Sequence, residues 1–178
     1  MSFRKCVLAL ATLVAGVLMY VASLPAEMQI TRTIEINGTP DEIFPFINHS
    51  QKANNWMPWK DSDPDVVLIY SGPEEGIGSK SSWDSPGQMG TGEALVIDSI
   101  PNQVVKTKLT YTKPFQMQQL AEIALMPAEA GTKVRWSVSG ERNFFFKLIG
   151  VFVSCDEMVG GEFEKGLRNL KRMVEDAR

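Results

Sequence analysis

The chain has 178 residues, 44% of them hydrophobic and 22% charged, enough for one ordinary folded domain and too apolar for bulk disorder. A formal net charge of −3, with no Lys/Arg run longer than two, argues against nucleic-acid binding, which draws most of its affinity from basic faces that neutralise phosphates. Two cysteines, Cys6 and Cys155, and one histidine, His49, supply neither a disulfide framework nor a His-rich metal site, so no metal or other cofactor is expected.

Arg4 and Lys5 precede Val7–Leu24, an uncharged run of small and apolar residues. As a helix it spans roughly 27 Å at 1.5 Å per residue, near the hydrocarbon thickness of a bilayer. The run is long for a cleaved signal peptide, although Val21–Ala22–Ser23 leaves cleavage open. Residues 1–26 are therefore expected to be a transmembrane anchor, and 27–178 a single domain. Positive charge on the N-terminal side places that terminus in the cytoplasm. The expected location is a bacterial inner membrane crossed once, with the domain periplasmic or extracellular.

Gln29–Ile36 alternates with a two-residue period: Ile30, Arg32, Ile34 and Ile36 on one side, Gln29, Thr31, Thr33 and Glu35 on the other. Thr39–Pro40–Asp41–Glu42 then reads as a helix start with a capping box, and Ile43, Phe44, Phe46 and Ile47 as its packed face. A second short helix is expected over His49–Asn55, ending at Trp56–Met57–Pro58–Trp59. The Asp61–Asp63–Asp65 alternation lacks the glycine and distal glutamate of a calcium loop and reads as a solvated acidic turn.

Six strand-like segments follow: Val66–Tyr70, Gly78–Trp83, Gly90–Ser99, Val104–Thr112, Gln116–Met126 and Thr132–Gly140. Turn residues at each junction predict antiparallel hairpins in one meandering sheet. Asn143 is placed to cap an apolar helix over Phe144–Val153, which is either buried or in contact with a ligand or a bilayer. Ser154 and Glu157 open a longer helix. Its Val159, Phe163, Leu167, Leu170 and Val174 form one apolar stripe. A sheet with one dry face needs a cover, and this helix is the one long element available to supply it.

Several short pieces carry a family resemblance: Ile34–Glu35–Ile36–Asn37 with Pro40–Asp41–Glu42–Ile43–Phe44, Trp56–Met57–Pro58–Trp59, Tyr70–Ser71–Gly72–Pro73, Gly90–Thr91–Gly92, Gly131–Thr132–Lys133–Val134–Arg135–Trp136, and Phe163–Glu164–Lys165–Gly166–Leu167. In order and spacing they resemble the SRPBCC superfamily of START-like, helix-grip domains, and within it the bacterial polyketide cyclase/dehydrase-like proteins. The resemblance runs from about Gln29 to the end. It implies an α+β helix-grip fold, a curved antiparallel β-sheet wrapped around a long C-terminal α-helix, with a ligand cavity between them. It is weak for function, because one such scaffold hosts carriers, cyclases and regulators.

Candidate ligand-binding residues are Trp56, Trp59, Trp83, Tyr111, Phe115, Met117, Trp136 and Phe163. Each has a packing alternative. Trp56 and Trp59 either close a pocket mouth or anchor the helix pair; Trp136 is either core or cavity wall. No catalytic residue stands out. His49 sits in a polar helical stretch, no GxSxG occurs, and Glu93 and Glu122 are expected on a solvated strand face. The expectation is a membrane-tethered carrier or sensor for a hydrophobic small molecule or lipid, with no protein partner specified. A cyclase or dehydratase-type enzyme, or a structural partner for another envelope protein, are the alternatives.

Overall fold

The structure is a computed structural model that describes the backbone of residues 3–87, 89–142, 144–150 and 155–177. The side chains of 3–6, 9, 60, 62, 145, 149 and 155–158 lie outside the described set, as do the proposed caps Asn143 and Ser154. In chain order the elements are α1 (Phe3–Ser23), β1 (Glu27–Ile36), α2 (Pro40–Asn48), α3 (Ser50–Trp56), α4 (Trp59–Ser62), β2 (Val67–Ser71), β3 (Lys80–Asp84), β4 (Thr91–Ile100), β5 (Val104–Lys113), β6 (Met117–Ala128), β7 (Gly131–Glu141), α5 (Phe144–Gly150) and α6 (Cys155–Asp176). The expected strands and the helices α2 and α3 form within one or two residues of their predicted limits; α1 starts four residues before Val7, and of the helix expected over Phe144–Val153 the structure describes Phe144–Gly150, residues 151–153 lying outside the described set. The short α4 was not anticipated, since four residues carry no readable period.

The strands make one antiparallel sheet in the order β1-β7-β6-β5-β4-β3-β2. Each hairpin connection keeps successive strands adjacent, and only β1 crosses over, to pair with β7. Register puts Ile30, Ile34 and Ile36 on the same face as Val134, Trp136 and Val138, then Ile123 and Leu125, then Val105. This dry face is covered by α6. Phe163, Leu167, Leu170 and Val174 are each no more than 2% exposed, and Val159 packs against the same core. The expected grip is therefore present.

Two glycines let α6 approach so closely. A Cβ at Gly160 would collide with the Arg32 guanidinium, and one at Gly166 would lie 3.0 Å from both Trp136 Cζ3 and Pro58 Cδ. At its C-terminal end α6 is fastened to the end of β1: Lys171 donates to Glu35 O at 3.0 Å, and Glu175 accepts from the Asn37 N–H at 3.0 Å.

Among the described residues no helix is long and apolar enough to cross a membrane, so the expected transmembrane anchor is not found there. The helix itself forms, with Leu8, Leu10, Leu13 and Met19 each more than 60% exposed and Val21 buried. The acidic alternation is solvated at Asp61 and Asp65, as expected, but not at Asp63. Asp61 pairs with Lys165 on α6 at 2.9 Å, while Asp63 is buried, accepts from the Ser85 hydroxyl and so pins the β3–β4 turn.

Candidate functional site

The sheet has two unlike ends. At the far end lie the β2–β3 and β6–β7 turns and the C-terminus of α6; at the near end lie the start of β1, the end of β7, the β3–β4 and β5–β6 turns and α5. Four of the eight candidate ligand residues meet deep in the grip, and they meet each other. Phe163 stacks on Trp136 with ring centroids 4.0 Å apart and 4° between planes. Trp56 meets Trp136 edge-on at 5.2 Å, and Trp59 meets Trp136 at 6.2 Å and Phe163 at 6.4 Å. Such pairs favour offset or edge-to-face geometry because of the ring quadrupole, and they fill this part of the interior. The Trp56 indole donates to Phe46 O at 2.9 Å. The buried Trp136 indole N–H has no acceptor among the described residues, a loss of about 1–3 kcal/mol that the surrounding packing offsets.

The other four candidates lie toward the near end. Trp83 packs edge-on against Tyr111 at 5.4 Å and donates to Met89 O at 3.3 Å. Its ring lies across Gly92, its partner on β4; any side chain there would collide with the indole. Burial pushes the Tyr111 phenol up to about 12, since desolvation disfavours the phenolate. Phe115, in the β5–β6 turn and 45% exposed, meets Phe146 of α5 edge-on at 5.7 Å. Met117 opens β6 and lines a depression of about 710 Å³ together with Ile97, Lys108, Gln116, Gln118, Gln119, Leu120, Ser139, Gly140, Glu141, Arg142 and Phe146. Ile97, next to buried Val96, lies exposed on the outer face beside this depression, and the register shift after Val96 brings Asp98 opposite Lys106 on that face as well. A second, more polar depression of about 300 Å³ lies on the outer sheet face around the Glu122–Arg135 pair.

Sequence reasoning missed three residues of interest. Lys108 and Arg142 line the larger depression, and nothing in the local pattern of either marks it, whereas Phe146 falls in the Phe144–Val153 segment already expected to be buried or in contact with a ligand or a bilayer. Arg32 was legible as the one charge on the dry side of β1. Its partner was not: Nε donates to Glu164 Oε1 of α6 at 3.1 Å, across 132 residues of sequence.

Conventional catalytic groups are scarce. Glu122 pairs with Arg135 at 2.9 Å and Glu93 with Lys80 at 3.4 Å, both on the outer face as expected. His49 caps α3, its Nδ1 accepting from the Gln51 N–H at 3.3 Å, with the Glu74 carboxylate 3.9 Å from Nε2. Among the described residues no serine hydroxyl bonds to it, and no group of His, Cys, Asp or Glu is placed to hold a metal ion.

Comparison with known proteins agrees with this geometry. A family profile described as polyketide cyclase/dehydrase and lipid transport matches residues 27–175. No curated protein matches. Among solved structures, norcoclaurine synthase of Thalictrum flavum superposes with a TM-score of 0.66 at 13% identity, covering 86% of this chain and 98% of that one. The di-domain aromatase/cyclase StfQ of the steffimycin biosynthetic pathway gives 0.61 at 11% identity, covering 85% of this chain and 52% of that one. The Aha1 dimer of Colwellia psychrerythraea gives 0.58 at 20% identity, covering 83% and 96%. Likeness at such identities speaks for the fold alone, whereas the profile spans nearly all of the folded chain. The chain belongs to the polyketide cyclase/dehydrase and lipid-transport family, within the SRPBCC superfamily.

Proposed function

We propose that the protein is a membrane-tethered binding domain for a hydrophobic small molecule or lipid, held at the near end of the sheet in a depression lined largely from its outer face. The observation that carries this reading is the 710 Å³ depression, a volume typical of small-molecule sites, in which Met117, Leu120, Ile97 and Phe146 offer an apolar wall and Lys108 and Arg142 two cations. The ligand class that fits is amphipathic, with an apolar body and an acidic or strongly polar head. The tether is α1, supported by its uncharged sequence from Val7 to Leu24 and the exposure of its side chains. In this reading Arg4 and Lys5 keep the N-terminus cytoplasmic and the domain lies across a bacterial inner membrane.

Native mass spectrometry of the purified full chain tests the binding function. A co-purifying lipid-like mass is expected, and it is lost when Leu120→Ser and Phe146→Ala are combined. Protein that is empty from every preparation overturns the reading.

A cyclase or dehydratase-type activity is the alternative, supported by the family profile. Turnover of a poly-β-ketone substrate by the purified chain would establish it over simple carriage.

A further inference from the structure

The link between α1 and the domain is short and clamped. Only Leu24, Pro25 and Ala26 separate the end of α1 from the start of β1. The Arg142 backbone N–H donates to Ala26 O at 2.7 Å and its Nη2 donates to Pro25 O at 3.2 Å, so the linker is fixed to the residue that leads into α5. Three residues span at most about 11 Å when extended, so the tip of the helix and the near end of the sheet cannot separate. The buried Val21 is the point where α1 packs home.

This arrangement fixes which way the domain faces. Phe115 and Phe144, each 45% exposed, stand at the end to which α1 is clamped, with Tyr20 of α1 59% exposed. Aromatic side chains of this kind favour the headgroup boundary of a bilayer. Lys113 and Lys147 flank the two phenylalanines in sequence, and Arg142 joins them; Glu27, Glu141 and Asp84 share this end, so apolar contact outweighs charge attraction there. The far-end turns 72–79, 101–103 and 129–130 carry no aromatic residue, and their Glu74, Glu75 and Glu129 lie beside Lys80 and Lys133. The aromatic asymmetry selects one orientation.

We infer that the near end, formed by α5 and the Lys113–Gln116 turn, is seated on a phospholipid bilayer through its exposed aromatic side chains, so that the depression lies beside the lipid. The inference rests on the tether of the proposed function. It adds a second contact and assigns the source of the ligand: the bilayer itself.

The test uses the full chain with vesicles of phosphatidylcholine and phosphatidylglycerol carrying brominated acyl chains. Phe115→Trp adds a reporter at the near end, Phe144→Trp a second in case the first does not fold, and Ile77→Trp a control in the exposed far-end turn. The emission added over the parent chain is expected to fall by at least about half for Trp at 115 or 144 and to be unchanged for Trp at 77. Combined Lys113→Glu and Lys147→Glu substitution is expected to relieve the quenching while the chain still floats with the vesicles. Equal, weak quenching at both ends in a chain that floats overturns the seated surface and leaves the tether intact. Failure to float removes the tether and this inference with it.

Discussion

Phe163 lies flat against Trp136, 4.0 Å between centroids, so the C-terminal helix and the sheet meet through two parallel rings in the deepest part of the grip. Stacking at this distance couples helix position to sheet position directly. Truncating Phe163 to alanine should cost about 3–5 kcal/mol, because it removes a buried ring that its neighbours cannot refill. Denaturant unfolding followed by tryptophan emission measures this, and a loss under about 1 kcal/mol would show that the stack is incidental.

The glycines of α6 should respond oppositely to enlargement. Gly166→Leu drives a side chain into Trp136, Trp56 and Pro58 and should destabilise by about 1–3 kcal/mol. A Cβ at Gly161 would meet nothing within 4 Å, so Gly161→Ala should stabilise the helix by up to about 1 kcal/mol through propensity alone. Thermal melts of the two variants side by side separate close approach from backbone freedom.

Alkaline titration should single out Tyr111. Its phenol titrates near 12 when folded against 10.0 for an unburied tyrosine, so the folded state holds its proton more tightly. The stability this contributes is complete below pH 10, falls between 10 and 12, and is gone above. Absorbance of the phenolate should show a late transition that Tyr111→Phe removes, and that variant should lose stability less steeply over the same range.

Asp63 and Ser85 should behave as a coupled pair. The buried carboxylate accepts the hydroxyl proton, and the Ser85 Oγ in turn accepts from the Gly87 N–H at 3.0 Å. Asp63→Ala should cost about 1–3 kcal/mol and Ser85→Ala less, with a coupling energy above about 0.5 kcal/mol in the double-mutant cycle. Amide exchange in the β3–β4 turn should quicken in both. Additive effects would mean that the turn is held by its own backbone.

How much of this was legible beforehand follows from what each signal depends on. The strands were readable because one face is dry, and Val105, Ile123 and Val134 keep that parity over long stretches. Parity also placed Trp136 inward. It could not say whether the space above Trp136 was hollow, since that depends on Phe163 arriving from α6 and Trp56 from α3, contacts set by tertiary packing. Asp63 was misread for the same reason: its burial follows from the β3–β4 turn folding over it, not from its neighbours in sequence. The bulge at Ile97 interrupts the period in the very strand whose edge borders the depression.

The aromatic block around Trp136 has one further consequence. Trp56, Trp59, Trp136 and Phe163 fill the space between sheet and α6, so a guest beside Leu120 and Lys108 rests on the opposite side of the sheet from that plug. It is held on an open shelf that loads and unloads from outside, and the interior block gives it no passage through the fold.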